Sequence, residues 1–226
     1  MPPRLSIILP TLNEAAAIGD TLQSLQAMRG RGVQVIVADG GSSDGTLLLA
    51  IPWADRVLSV SSGRARQMNA AAAMALGEVL LFLHADTRLP EQADGLVLDG
   101  LGAGDRLWGR FDVRIAGRSW LLRVVAFCMN RRSRWTGIAT GDQALFVRRE
   151  TFQALGGFPD QPLMEDIELS QRLCRLGPPL CLRARVVTSG RRWETRGVWR
   201  TIWLMWRLRW LYWRGVSVDR LAEEYR

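Results

Sequence analysis

Short apolar runs alternate with segments of helical periodicity along the first half of the chain. Runs typical of buried strands cover residues 5–9, 33–38, 56–60 and 78–83. Apolar residues recur at helical spacing over residues 14–28, and the Ala- and Met-rich segment 64–76 also predicts a helix. Strands and helices that alternate in this way predict an α/β fold, with a mostly parallel sheet covered by helices on both faces.

The second half of the chain is less regular. Strands are predicted at residues 106–115, 143–148 and 180–187, helices at 119–129 and 165–176, and a basic irregular loop at 130–140. Since no repeat or low-complexity linker interrupts the pattern, we expect one domain over residues 1–190 and a C-terminal extension over residues 191–226.

Acidic residues follow three of the predicted parallel strands. Glu14, Asp39 and Asp86 each lie in a loop after such a strand. Ligands of open α/β sheets bind at the carboxyl ends of the strands, where these carboxylates could hold a divalent cation or a ribose hydroxyl. Asp39 and Asp86 also suit a turn or a helix cap, so position alone leaves both interpretations open.

Two familiar nucleotide sites are excluded by the loop sequences. The first strand runs into Pro10-Thr11-Leu12-Asn13-Glu14 rather than Gly-x-Gly-x-x-Gly, and the chain has no Lys for a phosphate-binding Gly-Lys-Ser/Thr loop. The acid-rich loops instead suit a metal-bound diphosphate. Glu165 and Asp166 open a predicted helix, either as simple capping residues or with Asp166 as a general base.

Several ordered segments together resemble the family 2 glycosyltransferases, which have the GT-A fold. The resemblance spans about residues 4–190 and is carried by residues 6–14, 37–46, 63–69, 77–78, 82–87, 141–143, 156–158 and 165–166. Within the family, the His-Ala-Asp-Thr loop, residues 141–149 and the Arg-Arg-Trp-Glu sequence resemble short bacterial enzymes of arsenosugar biosynthesis and neighbouring carotenoid-acid glycosyltransferases.

The resemblance implies inverting transfer of one sugar from a nucleotide-sugar donor to a small or lipidic acceptor. It implies Asp166 as the base and Asp86 as the ligand of Mg²⁺ or Mn²⁺. The implied donor-binding residues are Pro10, Thr11, Glu14, Asp39, Arg64, Asn69 and Asp86. On the acceptor side it implies Gly141, Asp142, Gln143 and Glu165, and it gives Arg191, Arg192 and Trp193 a contact with the diphosphate or a membrane.

His84 departs from the family pattern, because it stands where the usual Asp-x-Asp metal motif has its first acid. Metal binding would therefore rest on Asp86. Two alternatives to a glycosyltransferase stay open. One is a nucleotidyltransferase, although such enzymes usually have a Gly-rich basic loop after the first strand. The other is a non-catalytic peripheral membrane scaffold with a degenerate site.

Charge and tryptophan are concentrated in the C-terminal extension. The chain has a net charge of +8 and 10 Trp, and all 30 of its basic residues are Arg. A helical wheel places the extension's Trp residues on one stripe, flanked by Arg, with Leu on the far side: Trp199, Trp203, Trp206, Trp210, Trp213; Arg200, Arg207, Arg214; Leu204, Leu208, Leu211. This pattern predicts an interfacial helix on an anionic membrane, or a Trp stripe packed on the domain or in a homodimer. Two apolar faces disfavour nucleic-acid binding.

The remaining features concern the cellular compartment. The chain has no run of 18 uncharged apolar residues and no cleavage signal near residue 1. Its three cysteines, Cys128, Cys174 and Cys181, form no Cys-x-x-Cys pair, which predicts buried thiols in a reducing compartment rather than a zinc site. We therefore expect a cytoplasmic protein at the inner face of a bacterial membrane.

Overall fold

A computed structural model describes residues 2–225. Its strands are β1 Leu5–Thr11, β2 Gln34–Asp39, β3 Arg56–Ser59, β4 Val79–Phe82, β5 Thr87–Arg88, β6 Trp108–Ala116, β7 Phe146–Arg148 and β8 Leu180–Ser189. Its helices are α1 Ala15–Ser24, α2 Gln26–Gly30, α3 Thr46–Ala50, α4 Arg64–Ala73, α5 Ala93–Gly102, α6 Leu121–Thr136, α7 Arg149–Ala154, α8 Glu165–Leu176, α9 Arg191–Arg196, α10 Val198–Trp213 and α11 Val218–Tyr225. A 3₁₀ turn covers Gly141–Gln143.

The strands form an 8-stranded mixed sheet in the order β3-β2-β1-β4-β7-β6-β8-β5. Strands β1 to β4 pair in parallel, as do β6 and β8, whereas β7 is antiparallel to both of its neighbours and β5 is antiparallel to β8. The predicted α/β class and mostly parallel sheet are confirmed.

Both faces of the central strands are buried, which explains their uninterrupted apolar sequences. Ile7 and Leu9 of β1 point to one face and pack with Ile18 of α1. Ile8 points to the other face and packs with Met68 of α4. Because successive side chains of a strand alternate between faces, a strand in this position needs apolar residues throughout.

Helix α6 is longer than predicted. It continues to Thr136, through most of the expected loop 130–140, and ends at Gly137, whose φ of 73° lies in the left-handed region. Its polar residues have partners on β6. Asn130 exchanges two hydrogen bonds with the backbone of Val113, and Arg134 lies 2.7 Å from a carboxylate oxygen of Asp112. These tertiary contacts stabilise a helix in a segment whose local pattern favours a loop.

Other predicted elements differ in smaller ways. The predicted helix over residues 14–28 is two helices with Leu25 between them, and the predicted strand over residues 143–148 begins at Phe146, after the 3₁₀ turn. The short strand β5 was not predicted. The expectation of buried thiols is wrong, since Cys128 is exposed and Cys174 and Cys181 are partly exposed.

The C-terminal extension packs on the domain through its leucine face. Leu208 of α10 is fully buried in a cluster with Met164, Ile167 and Leu221. The tryptophans on the opposite face are exposed by 55% to 80%: Trp199, Trp203, Trp206, Trp210 and Trp213. The interpretation in which the Trp stripe packs on the domain is therefore wrong. Among the described residues, no helix has both the length and the apolar character required to cross a bilayer.

Candidate active site

A cavity of about 1110 Å³ opens at the carboxyl ends of β1 and β4. Strands β2 and β3 are added to the sheet on one side of β1, and β4 is added on the other side. Open α/β sheets bind ligands at the point where the strand order reverses in this way. Most of the predicted site residues line the cavity: Pro10, Thr11, Glu14, Arg64, Asp86, Gly141, Asp142, Glu165, Asp166, Arg191, Arg192 and Trp193. The fold thus brings together loops that are far apart in the sequence.

Asp86 and His84 reach the cavity from the loop after β4. His84 Nδ1 lies 3.2 Å from Asp142 Oδ1, and its ring lies against Gly141, where a Cβ atom would collide with Nε2. Within residues 2–225 the Asp86 side chain has no hydrogen bond or ion pair. The imidazole is therefore used to hold the 3₁₀ turn, while the Asp86 carboxylate stays free for a ligand.

A mixed group of charges surrounds this loop. Burial opposes ionisation of Asp142, but the hydrogen bond from His84 and the nearby cations outweigh it, so the pKa of Asp142 lies below its ordinary value. Arg64 Nη1 lies 3.3 Å from Glu165 Oε1. Burial raises the pKa of Glu165 above its usual range, although the charge of Arg64 opposes that shift. Arg64 therefore presents a positive charge beside the acids of the cavity.

Asp166 is the second residue of α8, and its carboxylate is held by two backbone donors. Its Oδ2 accepts a hydrogen bond of 2.7 Å from the Gly141 N–H, and its Oδ1 accepts one of 2.8 Å from the Ile167 N–H. The preceding Met164 has a φ of 65°, an uncommon value for a residue with a side chain, and its side chain is buried against α10 and α11. The carboxylate keeps lone pairs beyond these two bonds and lines the cavity.

Helix α9 forms one wall of the cavity. Arg191 Nη2 lies 3.2 Å from Glu14 Oε2, and the Arg192 guanidinium stacks 3.8 Å from the centre of the Tyr225 ring. Burial and the neighbouring charges of Arg196 and Arg64 lower the pKa of Arg192. The C-terminal extension thus supplies basic side chains to the same cavity as the acidic loops.

Three predicted site residues do not line the cavity and instead hold its loops. The Asp39 carboxylate accepts hydrogen bonds from Thr11, Gly41 and Ser42, as a turn residue does. Asn69 exchanges two hydrogen bonds with the backbone of Phe158. Gln143 is fully buried and accepts a hydrogen bond from the Thr140 N–H.

Gln67, Arg132 and Arg209 are among the cavity residues that were not predicted. Gln67 donates hydrogen bonds to the carbonyl oxygens of Thr11 and Ala38, which joins the ends of β1 and β2. Arg132 of α6 and Arg209 of α10 also line the cavity. No local motif marks either arginine, because each lies in a basic segment with many similar residues.

The donor set for a metal ion is small. No group of three or more His, Cys, Asp or Glu side chains suited to a metal occurs in the described part of the chain. The free carboxylate of Asp86 nevertheless fits Mg²⁺ or Mn²⁺, because such ions are often held by one or two carboxylates, with substrate phosphates and water completing the shell.

The fold and the position of the cavity define a GT-A protein. The UDP complex of TarS from S. aureus superimposes with a TM-score of 0.68 at 17% identity, covering 82% of this chain and 60% of that one. A mannosyltransferase from Pyrobaculum calidifontis, solved with GDP-Man and Mn²⁺, gives a TM-score of 0.65 at 24% identity and covers 92% of this chain and 61% of that one. At these identities the likeness establishes the fold.

The chain belongs to glycosyl transferase family 2, whose model matches residues 6–152. A probable glycosyltransferase of Bacillus subtilis, YdaM, is 26% identical and aligns with 89% of this chain and 54% of its own length. A PGL/p-HBAD biosynthesis glycosyltransferase of Mycobacterium bovis is 32% identical over 69% of this chain and 63% of its own length. The chain thus spans a little over half the length of these curated relatives.

Proposed function

We propose that the protein transfers one sugar from a nucleotide-sugar donor to an acceptor hydroxyl, with inversion at the anomeric carbon. The observation that carries this proposal is the free Asp86 carboxylate in a cavity that also holds Arg64, Arg192 and Asp166. Solved GT-A proteins with UDP, UDP-GlcNAc, or GDP-Man and Mn²⁺ support a donor of this kind.

The donor would occupy the sheet side of the cavity. Pro10, Thr11 and Glu14 would contact the nucleoside, while Asp39 and Asn69 would act by holding the surrounding loops. Arg64 and Arg192 would face the diphosphate, with Arg191 and Trp193 beside them. Asp86 would hold Mg²⁺ or Mn²⁺, which neutralises charge on the departing diphosphate.

The acceptor would approach from the side of α8 and the 3₁₀ turn. Asp166 would accept the proton of the acceptor hydroxyl. The hydroxyl oxygen would bond to the anomeric carbon as the bond from that carbon to the diphosphate breaks. Gly141, Asp142 and Glu165 would shape this side, with Gln143 supporting the turn. The acceptor would be small or lipidic and would carry the reacting hydroxyl, and an arsenosugar precursor of this kind would match the sequence resemblance.

A screen of donors tests this function against its alternatives. With Mn²⁺, the matching nucleoside diphosphate should raise the melting temperature by about 5–10 °C at about 100 times its Kd. The matching nucleotide sugar should also be hydrolysed slowly without acceptor. The control is the same nucleotide with EDTA. Absence of both effects across the common nucleotides would favour a non-catalytic scaffold, and release of pyrophosphate from a nucleoside triphosphate and a sugar phosphate would indicate a nucleotidyltransferase.

We also propose that the Trp stripe of α10 binds an anionic membrane surface. Its five tryptophans are exposed, and Arg207 and Arg214 each lie with the guanidinium 5.3 Å from a Trp ring centre, over Trp203 and Trp210. Indole rings favour the headgroup region of a bilayer, and arginines near it attract anionic lipid. This would place the enzyme at the inner face of the cell membrane.

Replacement of exposed tryptophans tests the membrane contact. The combined variant Trp199→Gln, Trp203→Gln and Trp210→Gln should bind phosphatidylglycerol vesicles at least about tenfold more weakly in a sedimentation assay, because it loses apolar area at the interface. The control is Leu48→Gln with Ile51→Gln, two exposed apolar residues, one in α3 and one just after it. Unchanged vesicle binding, or a wild-type dimer that the variant converts to monomers, would contradict the membrane proposal.

A further inference from the structure

The cavity extends beyond the acidic loops into a second region between α6 and α10. Here its wall is largely apolar and comprises Val124, Val125 and Met129 of α6, Ile202 and Met205 of α10, and Leu163. The exposed residues of this wall are Val124, Cys128 and Trp206, so the region opens to the surface between the two helices. It therefore offers an apolar path from the protein surface to Asp166.

Two arginines interrupt this apolar wall and lack partners. Arg132 Nε and Nη2 and Arg209 Nη1 are buried without any hydrogen-bond acceptor in the part of the chain that the structure describes. Buried polar atoms are nearly always hydrogen-bonded, and each N–H left unpaired costs free energy. Such atoms in a cavity wall indicate that an acceptor of hydrogen bonds arrives with a ligand.

The charges around the two arginines point to an anion. Burial and the charge of Arg209 lower the pKa of Arg132 to about 10, which still leaves it cationic at neutral pH. Asp166 is the nearby carboxylate that attracts both arginines, yet its oxygens accept hydrogen bonds from the backbone of Gly141 and Ile167. Two neighbouring cations with unpaired N–H groups complement a phosphate or carboxylate group.

We propose that this region binds an amphiphilic acceptor, whose anionic group accepts hydrogen bonds from Arg132 and Arg209 and whose apolar chain lies between α6 and α10. The inference rests on the proposed glycosyl transfer and specifies the class of its acceptor. The anionic group anchors the molecule beside Asp166, so that a hydroxyl of the same molecule can face the donor. The opening at Val124 and Trp206 adjoins the exposed Trp stripe, which allows entry of the chain from a membrane surface.

Calorimetric titration of the full chain with decyl phosphate, below its critical micelle concentration, tests the site. Wild-type protein should bind decyl phosphate more tightly than decanol and more tightly than inorganic phosphate. Arg132→Gln and Arg209→Gln should each weaken decyl phosphate binding by about tenfold, the usual effect of losing a hydrogen bond to a charged group. Arg131→Gln and Arg200→Gln, exposed residues of the same helices, serve as matched controls and should bind as wild type does.

Two further readouts separate this site from a structural role and from the proposed function. Arg209→Gln should melt no lower than wild type, because it removes repulsion from Arg132, whereas a structural arginine would lower the melting temperature when replaced. Both variants should retain nucleoside diphosphate binding with Mn²⁺. The acceptor site would be overturned if wild type bound decanol or inorganic phosphate as tightly as decyl phosphate. Unchanged affinity of both variants for decyl phosphate would also overturn it. Absence of nucleotide binding by wild type would instead overturn the proposed function.

Discussion

Asp86→Asn should remove the Mn²⁺-dependent part of nucleoside diphosphate binding and lower kcat/KM for sugar transfer by about 100-fold or more. The substitution keeps the shape of the side chain and removes its charge. Because the wild-type carboxylate has no hydrogen bond or ion pair among residues 2–225, its loss should leave the fold intact. Calorimetry with UDP or GDP, with and without Mn²⁺, measures the effect on binding.

The control for Asp86→Asn is Asp105→Asn, which removes the charge of an exposed carboxylate outside the cavity wall. It should bind nucleotide and metal as wild type does. Equal nucleotide affinity of Asp86→Asn and wild type in Mn²⁺ would contradict the metal role of Asp86. His84 would not replace the lost ligand, since its Nδ1 is paired with Asp142 and its Nε2 lies against Gly141.

Asp166→Asn should lower transfer to a hydroxyl acceptor by a factor of about 100 to 10,000, the range typical of a lost general base. Donor binding should be unchanged, because Asp166 lies on the acceptor side of the cavity. Initial rates with a saturating donor would show the loss of transfer, and calorimetry with the nucleoside diphosphate would show that donor binding is retained.

Glu168→Gln is a matched control in the same helical turn. Glu168 pairs with Arg172 and Tyr212 and does not line the cavity, so its replacement should leave transfer near the wild-type rate. Near-normal turnover by Asp166→Asn would exclude Asp166 as the base. Its carboxylate would then serve to join α8 to the 3₁₀ turn through its two backbone hydrogen bonds.

The central strands could be predicted from the sequence because their burial leaves a local signal. Strands β1, β2 and β4 are buried on both faces, and so they appear as short apolar runs followed by polar loops. Helix α6 left no such signal beyond residue 129. Its last two turns are polar and are stabilised by partners on β6, such as Asp112, which no local pattern can reveal.

Some residues of the candidate site could likewise be predicted from the sequence, and others could not. Asp86 and Asp166 could be selected from their places after a strand and at a helix start, together with the family resemblance. Asp39 has an equally typical sequence position, yet its carboxylate is used by the turn that follows it. Arg132 and Arg209 lie 77 positions apart in the sequence and meet only because α10 folds back beside α6.

The sequence by itself determined the alternation of central strands and helices in the first half of the chain, the family, and a C-terminal helix with two apolar faces. Tertiary structure alone decided that the leucine face of α10 is buried and the tryptophan face exposed. Periodicity shows that a helix has an apolar face, but the choice between two faces depends on the surface that receives it. Here that surface is formed by Met164, Ile167 and Leu221, so the helix that buries its leucines there also carries Arg209 into the cavity.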